Sequence, residues 1–444
     1  MYYLRQVLLA VLFPAIAWGQ GVNSTPLGTT GHSTHPIQQT SNISDYGDPN
    51  TEHMFLLGNS AGDNEITVTP YGSLWGNMTF ATSRTNSGVF TVWVFSEEEQ
   101  GESAFEIDAR RTRVGIDLAG PRSGFLGYQL GGRVEVDFFG QFLTENRAGT
   151  RLRHAYFEAT REDWRFLVGQ TWDVISSLGP GMLNFTNGWA GGNIGFRRAQ
   201  FRLERTVQFN DRVELLFQGS LNQDIVDDFP ADPGVRREPA DYPVIEARSA
   251  IALEAFGGTG RSATFGVSGH YGETGFDFIQ PGPPPLNLPP ADDTRFTTWS
   301  INFDAELPLT ETVTLRGEAF RGANLSPFFG GIGQGVCPCL RKPIRSTGGW
   351  LALEHVWSAE WESRYGAGID DPNDEDSLMG RVQNQFLFAN LIWHVTTNLS
   401  TGWEVAYWRT LYQDTRAGQV PDFLLMPRSP GEAVTLEWMV RYDF

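Results

Sequence analysis

From Ile66 to the last residue, apolar and polar side chains alternate one for one over long runs, broken by clusters of Gly, Pro, Asn and Asp. Successive side chains of a β-strand point to opposite faces, so each run reads as a ribbon with one greasy and one polar face. Two runs are clearest. In one, Leu126, Tyr128, Leu130, Val134, Val136 and Phe138 share a parity against Gln129, Arg133, Glu135 and Asp137. In the other, the end of the chain, Val434, Leu436, Trp438, Val440, Tyr442 and Phe444 oppose Thr435, Glu437, Met439, Arg441 and Asp443. Further strands are read at 66–81 and 104–119, and at about 150–161, 163–173, 195–208, 211–223, 244–257, 260–273, 294–308, 311–323, 347–359, 360–369, 381–396 and 398–412, roughly sixteen in all. Within 104–119 the parity switches, from Phe105, Ile107 and Ala109 to Val114, Ile116 and Leu118, which predicts either a bulge near Arg110 to Thr112 or an upper half rising clear of the membrane.

The connections alternate too. Short turns near 120–124, 161–163, 209–212, 257–261, 308–311, 359–361 and 396–398 interleave with long loops near 82–103, 141–149, 174–194, 224–243, 274–293, 324–346, 370–380 and 413–432. An even number of antiparallel strands, with turns at one end and long loops at the other, is the pattern of an outer-membrane barrel whose turns face the periplasm. A propeller would repeat four strands per blade, and no such repeat is present. The fold class is therefore read as all-β: a transmembrane antiparallel β-barrel over 66–444, with the last strand pairing with the one that starts at Ile66 so that no edge stays open.

Composition narrows the picture. Arg5 precedes an apolar run from Val7 to Ala17, with small residues at Ala15, Ala17 and Gly19, so residues 1–19 read as a cleaved signal peptide. Residues 20–65 are rich in Ser, Thr, Asn, Gly and Pro and read as a flexible polar segment. Its His32, His35 and His53 have no cysteine or carboxylate at ligand spacing. The net charge of -19 argues against nucleic acid as a partner. Fifty glycines, 25 prolines and a single lysine, Lys342, disfavour helices, while 14 tryptophans suit aromatic belts at two membrane interfaces. A mean hydropathy of -0.28 is no objection, because barrel strands hide their apolarity in alternation. Cys337 and Cys339 read as loop thiols or one small local disulfide, with no histidine near enough to complete a metal site. His154, His270, His355 and His394 have no nucleophile signature beside them, and neither G-x-S-x-G nor H-E-x-x-H occurs. No catalytic, cofactor or metal residue is assigned.

The segments R-R-T-R-V-G-I-D-L at Arg110 to Leu118, V-E-V-D-F-F-G at Val134 to Gly140, R-L-R-H-A-Y-F-E at Arg151 to Glu158 and L-V-G-Q-T-W-D at Leu167 to Asp173 together resemble the DcaP-like trimeric porins of the Gram-negative outer membrane. The resemblance covers about 104–208, with a looser match at Phe388 to Trp393 and in the C-terminal strand. That family often carries an N-terminal coiled-coil-like segment, whereas residues 20–65 show no heptad pattern. The resemblance implies a homotrimeric passive channel, placed in outer-membrane lipid by the barrel-assembly machinery, that passes small anionic solutes such as carboxylates. It also implies that the terminal strand, through Trp438, Tyr442 and Phe444, is an assembly signal. The loop at 174–193 occupies the slot of the third loop of general porins, which folds into the lumen. Its Met182, Leu183, Phe185 and Trp189 would be costly to leave in water, in agreement with such folding.

By strand parity Arg133, Arg151, Arg153, Arg165, Arg198 and Arg202 point inward from consecutive strands, with Arg111 and Arg113 at the bulge. Arginine presents a charged planar fork matched to carboxylates, so a ladder of them favours anions. Glu135, Asp137, Glu204, Glu246 and Glu318 share the inward faces and offset part of that charge. If the pairs only brace the wall, the alternative is a non-selective porin; a surface adhesin working through its loops is another. His154 and Glu158 share the outward parity of Leu152 and Tyr156, and are expected at a subunit interface because charge facing lipid is costly.

Overall fold

The computed structural model describes residues 66–444 other than 89, 123–125, 141–146, 176, 226–233, 255–260, 283–285 and 414–428. The signal peptide and polar segment expected at 1–65 lie outside the described residues, as do parts of the turns at 120–124 and 257–261.

Sixteen antiparallel staves close into a ring. The first is β1 (Thr67–Ala81), followed by a small hairpin of β2 (Thr85–Ser87) and β3 (Thr91–Val94). The second stave is in two pieces, β4 (Ala104–Asp108) and β5 (Arg113–Arg122), broken at the bulge expected from the parity switch. Next come β6 (Gln129–Asp137), β7 (Arg151–Arg161), β8 (Trp164–Trp172), β9 (Arg197–Asn210) and β10 (Val213–Asn222). A short β11 (Val235–Glu238) pairs with the upper part of the ninth stave. The ring continues through β12 (Val244–Leu253), β13 (Ala263–Phe278), β14 (Ala291–Pro308) and β15 (Val313–Ala323). A two-rung hairpin of β16 (Val336–Cys337) and β17 (Lys342–Pro343) precedes β18 (Arg345–Val356), β19 (Trp361–Pro372), β20 (Arg381–His394), β21 (Leu399–Tyr412) and β22 (Gly431–Asp443). Cys337 and Cys339 are joined as a disulfide within that hairpin's loop.

The closing seam forms between the elements the alternation singled out. β1 pairs with β22 from Ser73 opposite Asp443 to Ala81 opposite Thr435, and Gly72 and Phe444 exchange two backbone hydrogen bonds of 3.0 Å each. The outward face is apolar around the ring, with Phe201 59% and Leu387 61% exposed. Exposed aromatics gather toward the short-turn end, among them Trp164, Phe209, Trp357, Trp393, Trp438, Tyr442 and Phe444.

One parity assignment is corrected. The register shifts between Glu135 and Val136 against β7, so that Glu135 opposes His154 while Val136 opposes Leu152. The extra residue flips every side chain after it. Leu152 stays outside, but His154 and Glu158 turn inward: the His154 ring meets Thr171 Oγ1 at 3.0 Å, and Glu158 accepts from Arg165 at 2.5 Å. They do not mark a subunit interface.

The weakly alternating strands near Trp350 and Phe386 are apolar on both faces for a structural reason. Trp350, Phe386, Phe388, Ala406 and Trp408 point inward and are buried with Leu178 and Met182 of the loop after β8. The barrel has an interior packed by its own loops on that side.

Candidate functional site: the lumen constriction

The loop between β8 and β9 (173–196, hereafter L3) folds inside the ring. Its neck is pinched by Asp173, which accepts from Phe196 N at 2.9 Å and from Arg198 Nε at 2.7 Å. Met182, Leu183, Phe185 and Trp189 are all buried, as their apolar character requires. Leu183 packs with Trp75, Ile392 and Met439 of the wall. Two further loops meet L3. Phe90, Val92 and Trp93, from the loop after β1 (L1), and Phe329 and Ile332, from the loop after β15 (L6), share a cluster with Phe139, Trp172, Phe185 and Trp189. Trp189 stacks on Phe329 at 4.6 Å, and the two loops are hydrogen bonded from Ala190 N to Phe329 O and from Gly195 N to Phe328 O. Asn384 of β20 donates to both Val92 O and Ala190 O, each at 2.8 Å, tying L1 and L3 to one wall residue.

All eight sequence-selected arginines are buried or half-buried on the inner side, and most are engaged by carboxylates. Arg133 holds Asp117 with two bonds, 2.7 and 3.0 Å. Arg151 and Arg153 converge on Asp137, and Arg153 also meets Glu135. Arg165 joins Glu158 to Glu204, which Arg202 and Gln218 also contact. Arg198 holds Asp173 and lies 4.0 Å over the Phe328 ring. Arg111 donates to Leu183 O at the tip of L3 and lies 4.2 Å over Trp75. Arg113 is buried at the start of β5, near enough to Arg151 for their charges to interact.

Pairing continues beyond the sequence-selected set. Arg248 reaches across the sheet to Asp304, at 2.6 and 3.1 Å, passing directly over Gly266, where any Cβ would lie 2.2 Å from an Asp304 carboxylate oxygen. Arg316 links Glu306 and Glu354, and Arg364 links Glu354 and Glu362. The lumen is thus belted by alternating charge from β5 around to β19.

Arginines crowd where L3 meets the wall. Around Phe139 and Phe185, whose rings stack at 4.1 Å, stand Arg110, Arg111 and Arg151, with Arg153 and Arg197 beside Asp137 and Arg113 near Arg151. The same strands offer Glu106, Asp108, Glu135 and Asp137 on their inner faces, and Glu404 and Glu437 face Arg111 from β21 and β22, so these six arginines stand among six carboxylates. Arg110 lies 4.9 Å over Phe139 and Arg197 lies 4.2 Å over Trp172, so aromatic rings hold these guanidinium groups in place. Arg110 and Arg197, the belt members from β12 onward, and the L1 and L6 contributions escaped the sequence reading. The signal for L6 was present: L-S-P-F-F-G-G-I-G-Q-G at 325–335 is as uncharged, glycine-rich and apolar as L3.

No protein-family model matches this chain, and no curated protein does. Solved structures do. The outer membrane channel DcaP of Acinetobacter baumannii aligns at 16% identity over 86% of this chain and 100% of that one, with a TM-score of 0.65. The fold is a DcaP-like porin fold. An anion-selective porin from Comamonas acidovorans aligns at 11% identity over 86% of this chain and 100% of its own, with a TM-score of 0.52. OmpF of Salmonella typhi, in complex with daunomycin, aligns at 11% over 86% and 98%, with a TM-score of 0.50. A porin fold with an inserted third loop is therefore the frame in which the lumen arginines sit.

Proposed function

We propose that the chain is an outer-membrane porin, a passive channel for small hydrophilic solutes with preference for anions of the carboxylate type. The observation that carries the preference is the crowding of Arg110, Arg111, Arg113, Arg151, Arg153 and Arg197 near the junction of L3 and the wall, because guanidinium forks held in a low-dielectric setting attract anions. The Comamonas porin of the same fold is described as anion-selective, which supports the same reading. The acidity of the chain as a whole does not oppose it, since part of the acid lies in loops, as at Glu97 to Glu99 and Asp374 to Asp376. No catalytic step and no cofactor is part of this function.

Placement in an outer membrane rests on the apolar outward face and its aromatic belt. The homotrimer implied by the family resemblance no longer draws on His154 and Glu158; native mass spectrometry in mild detergent tests it, and a single-chain mass would remove it. Selectivity is tested by the reversal potential of single channels in a salt gradient. Anion preference is expected, weakened in Arg111→Ala and in Arg113→Ala, and weakened further when the two are combined. A cation-directed potential in the unaltered chain overturns the preference, and failure of proteoliposomes to swell in small sugars or amino acids overturns the channel.

A further inference from the structure

The strands from β12 to β21 carry acid on their inner face, and part of that acid is bound to loops. Glu246 of β12 accepts from Val174 N at 3.0 Å. Glu318 of β15 accepts from Leu178 N at 2.9 Å and Ser177 Oγ at 3.2 Å with one oxygen, and from Trp350 Nε1 at 3.0 Å with the other. Glu404 of β21 spends both oxygens on the tip of L3, accepting from Leu183 N at 2.6 Å and Asn184 N at 3.1 Å, while Asn390 links the same carboxylate to Gly181 O. L6 is held in the same manner by Asp370 of β19, which accepts from Ile332 N at 3.1 Å and from Ser346 Oγ. Four strands on one side of the ring thus hold two loops by their backbone amides. Glu246, Glu404 and Asp370 are buried, and Glu318 is half-buried.

An ionised carboxylate is the strongest acceptor a side chain offers to a peptide N–H, and two amides on one carboxylate fix both the position and the direction of the loop. Charge placed in this way serves the loop, and the loop covers it. We propose that Glu246, Glu318, Glu404 and Asp370 set the aperture, by clamping L3 and L6 to the wall through the loop amides. This rests on the reading of the lumen as a pore. The acids are not interchangeable with the belt carboxylates, whose partners are arginine side chains.

Charged groups face each clamp from the neighbouring elements. Asp173, Arg198 and Arg202 face Glu246; Asp304 faces Glu318; Arg111 and Glu437 face Glu404; Asp371 faces Asp370.

The test is amide hydrogen exchange on the assembled barrel, comparing the unaltered chain with Glu404→Gln and, separately, Glu318→Gln. A charge-assisted bond replaced by a neutral or repelling one should speed exchange about tenfold or more at Leu183 and Asn184 in the first variant and at Leu178 in the second. The β20 to β22 ladder should keep its protection. Single-channel current of both variants should become noisier, with frequent excursions to other conductance levels. Unchanged protection at Leu178, Leu183 and Asn184 in assembled variants overturns the clamp. Should Glu404→Gln fail to assemble, Leu178 in Glu318→Gln decides the matter at a strand four staves away. A cation-directed reversal potential in the unaltered chain strikes at the anion preference alone, so the two readings fail separately.

Discussion

At the scale of single residues, two sites outside the lumen's charge belt make checkable demands. Asp376, in the loop after β19, is buried, which by itself would push its carboxyl up. Hydrogen bonds from Arg345 Nε at 2.6 Å, from Lys342 and from the Arg345 amide outweigh burial and hold it down at about 2. A carboxyl lowered in the folded state contributes stability above its unfolded value, about 4, and loses it as pH falls toward the folded value. Protection of the Arg345 amide should therefore decline between about pH 4 and about pH 2 and be flat above that window. Asp376→Asn should remove the dependence, and should also speed acylation of Lys342, the chain's single lysine, by amine-reactive esters.

The second site is Gly72. A Cβ there would lie 2.5 Å from Phe444 Cζ and 2.7 Å from Arg113 O, so the terminal aromatic ring lies over a glycine that must stay bare. Gly72→Val should displace that ring and lower the fraction of heat-modifiable, assembled barrel on a gel. Deleting Phe444 should have the same effect while leaving export intact.

At the scale of elements, the alternation was enough to place the staves, because one face meets an apolar surrounding and the other does not. It failed where that premise fails. Around Phe386 both faces are apolar, since Phe386 packs under Gly188 and Gly191 of L3 and beside Trp408 at 5.0 Å. In β7 the parity itself shifted at a bulge whose cause is the pairing with β6, and nothing local to His154 marks it. L3 was legible because a long uncharged apolar loop has nowhere else to go. The acid clamps were not legible, because a glutamate on an inward parity looks the same whether its partner is an arginine or a loop amide. Phe386→Ala should cost about 3 to 5 kcal/mol, the usual range for a large buried aromatic, read as a lower denaturation midpoint of the assembled barrel. L3 should loosen with it, and the mean single-channel conductance should rise.

For the whole molecule, the inner wall divides into two chemistries. From β5 to β9 arginines project from the wall among aromatic rings, while at β12, β15, β19 and β21 carboxylates hold loops. The first half was read from parity and residue type. The second required knowing which loops come inside, which is a property of the closed ring and of no single strand.

The charge belt has a mechanical meaning as well. Most of its links join one stave to a neighbour on the inner surface, as Arg133 joins β6 to β5 and Arg316 joins β15 to β18. Each such link is a cross-tie that would have to stretch if the ring were to widen, in addition to the backbone ladder beside it. A tube laced in this way is stiff around its circumference. Pressure from a large solute would therefore move the loops before it moved the wall, and the size limit of the passage would belong to the valve seat and hardly at all to the pipe.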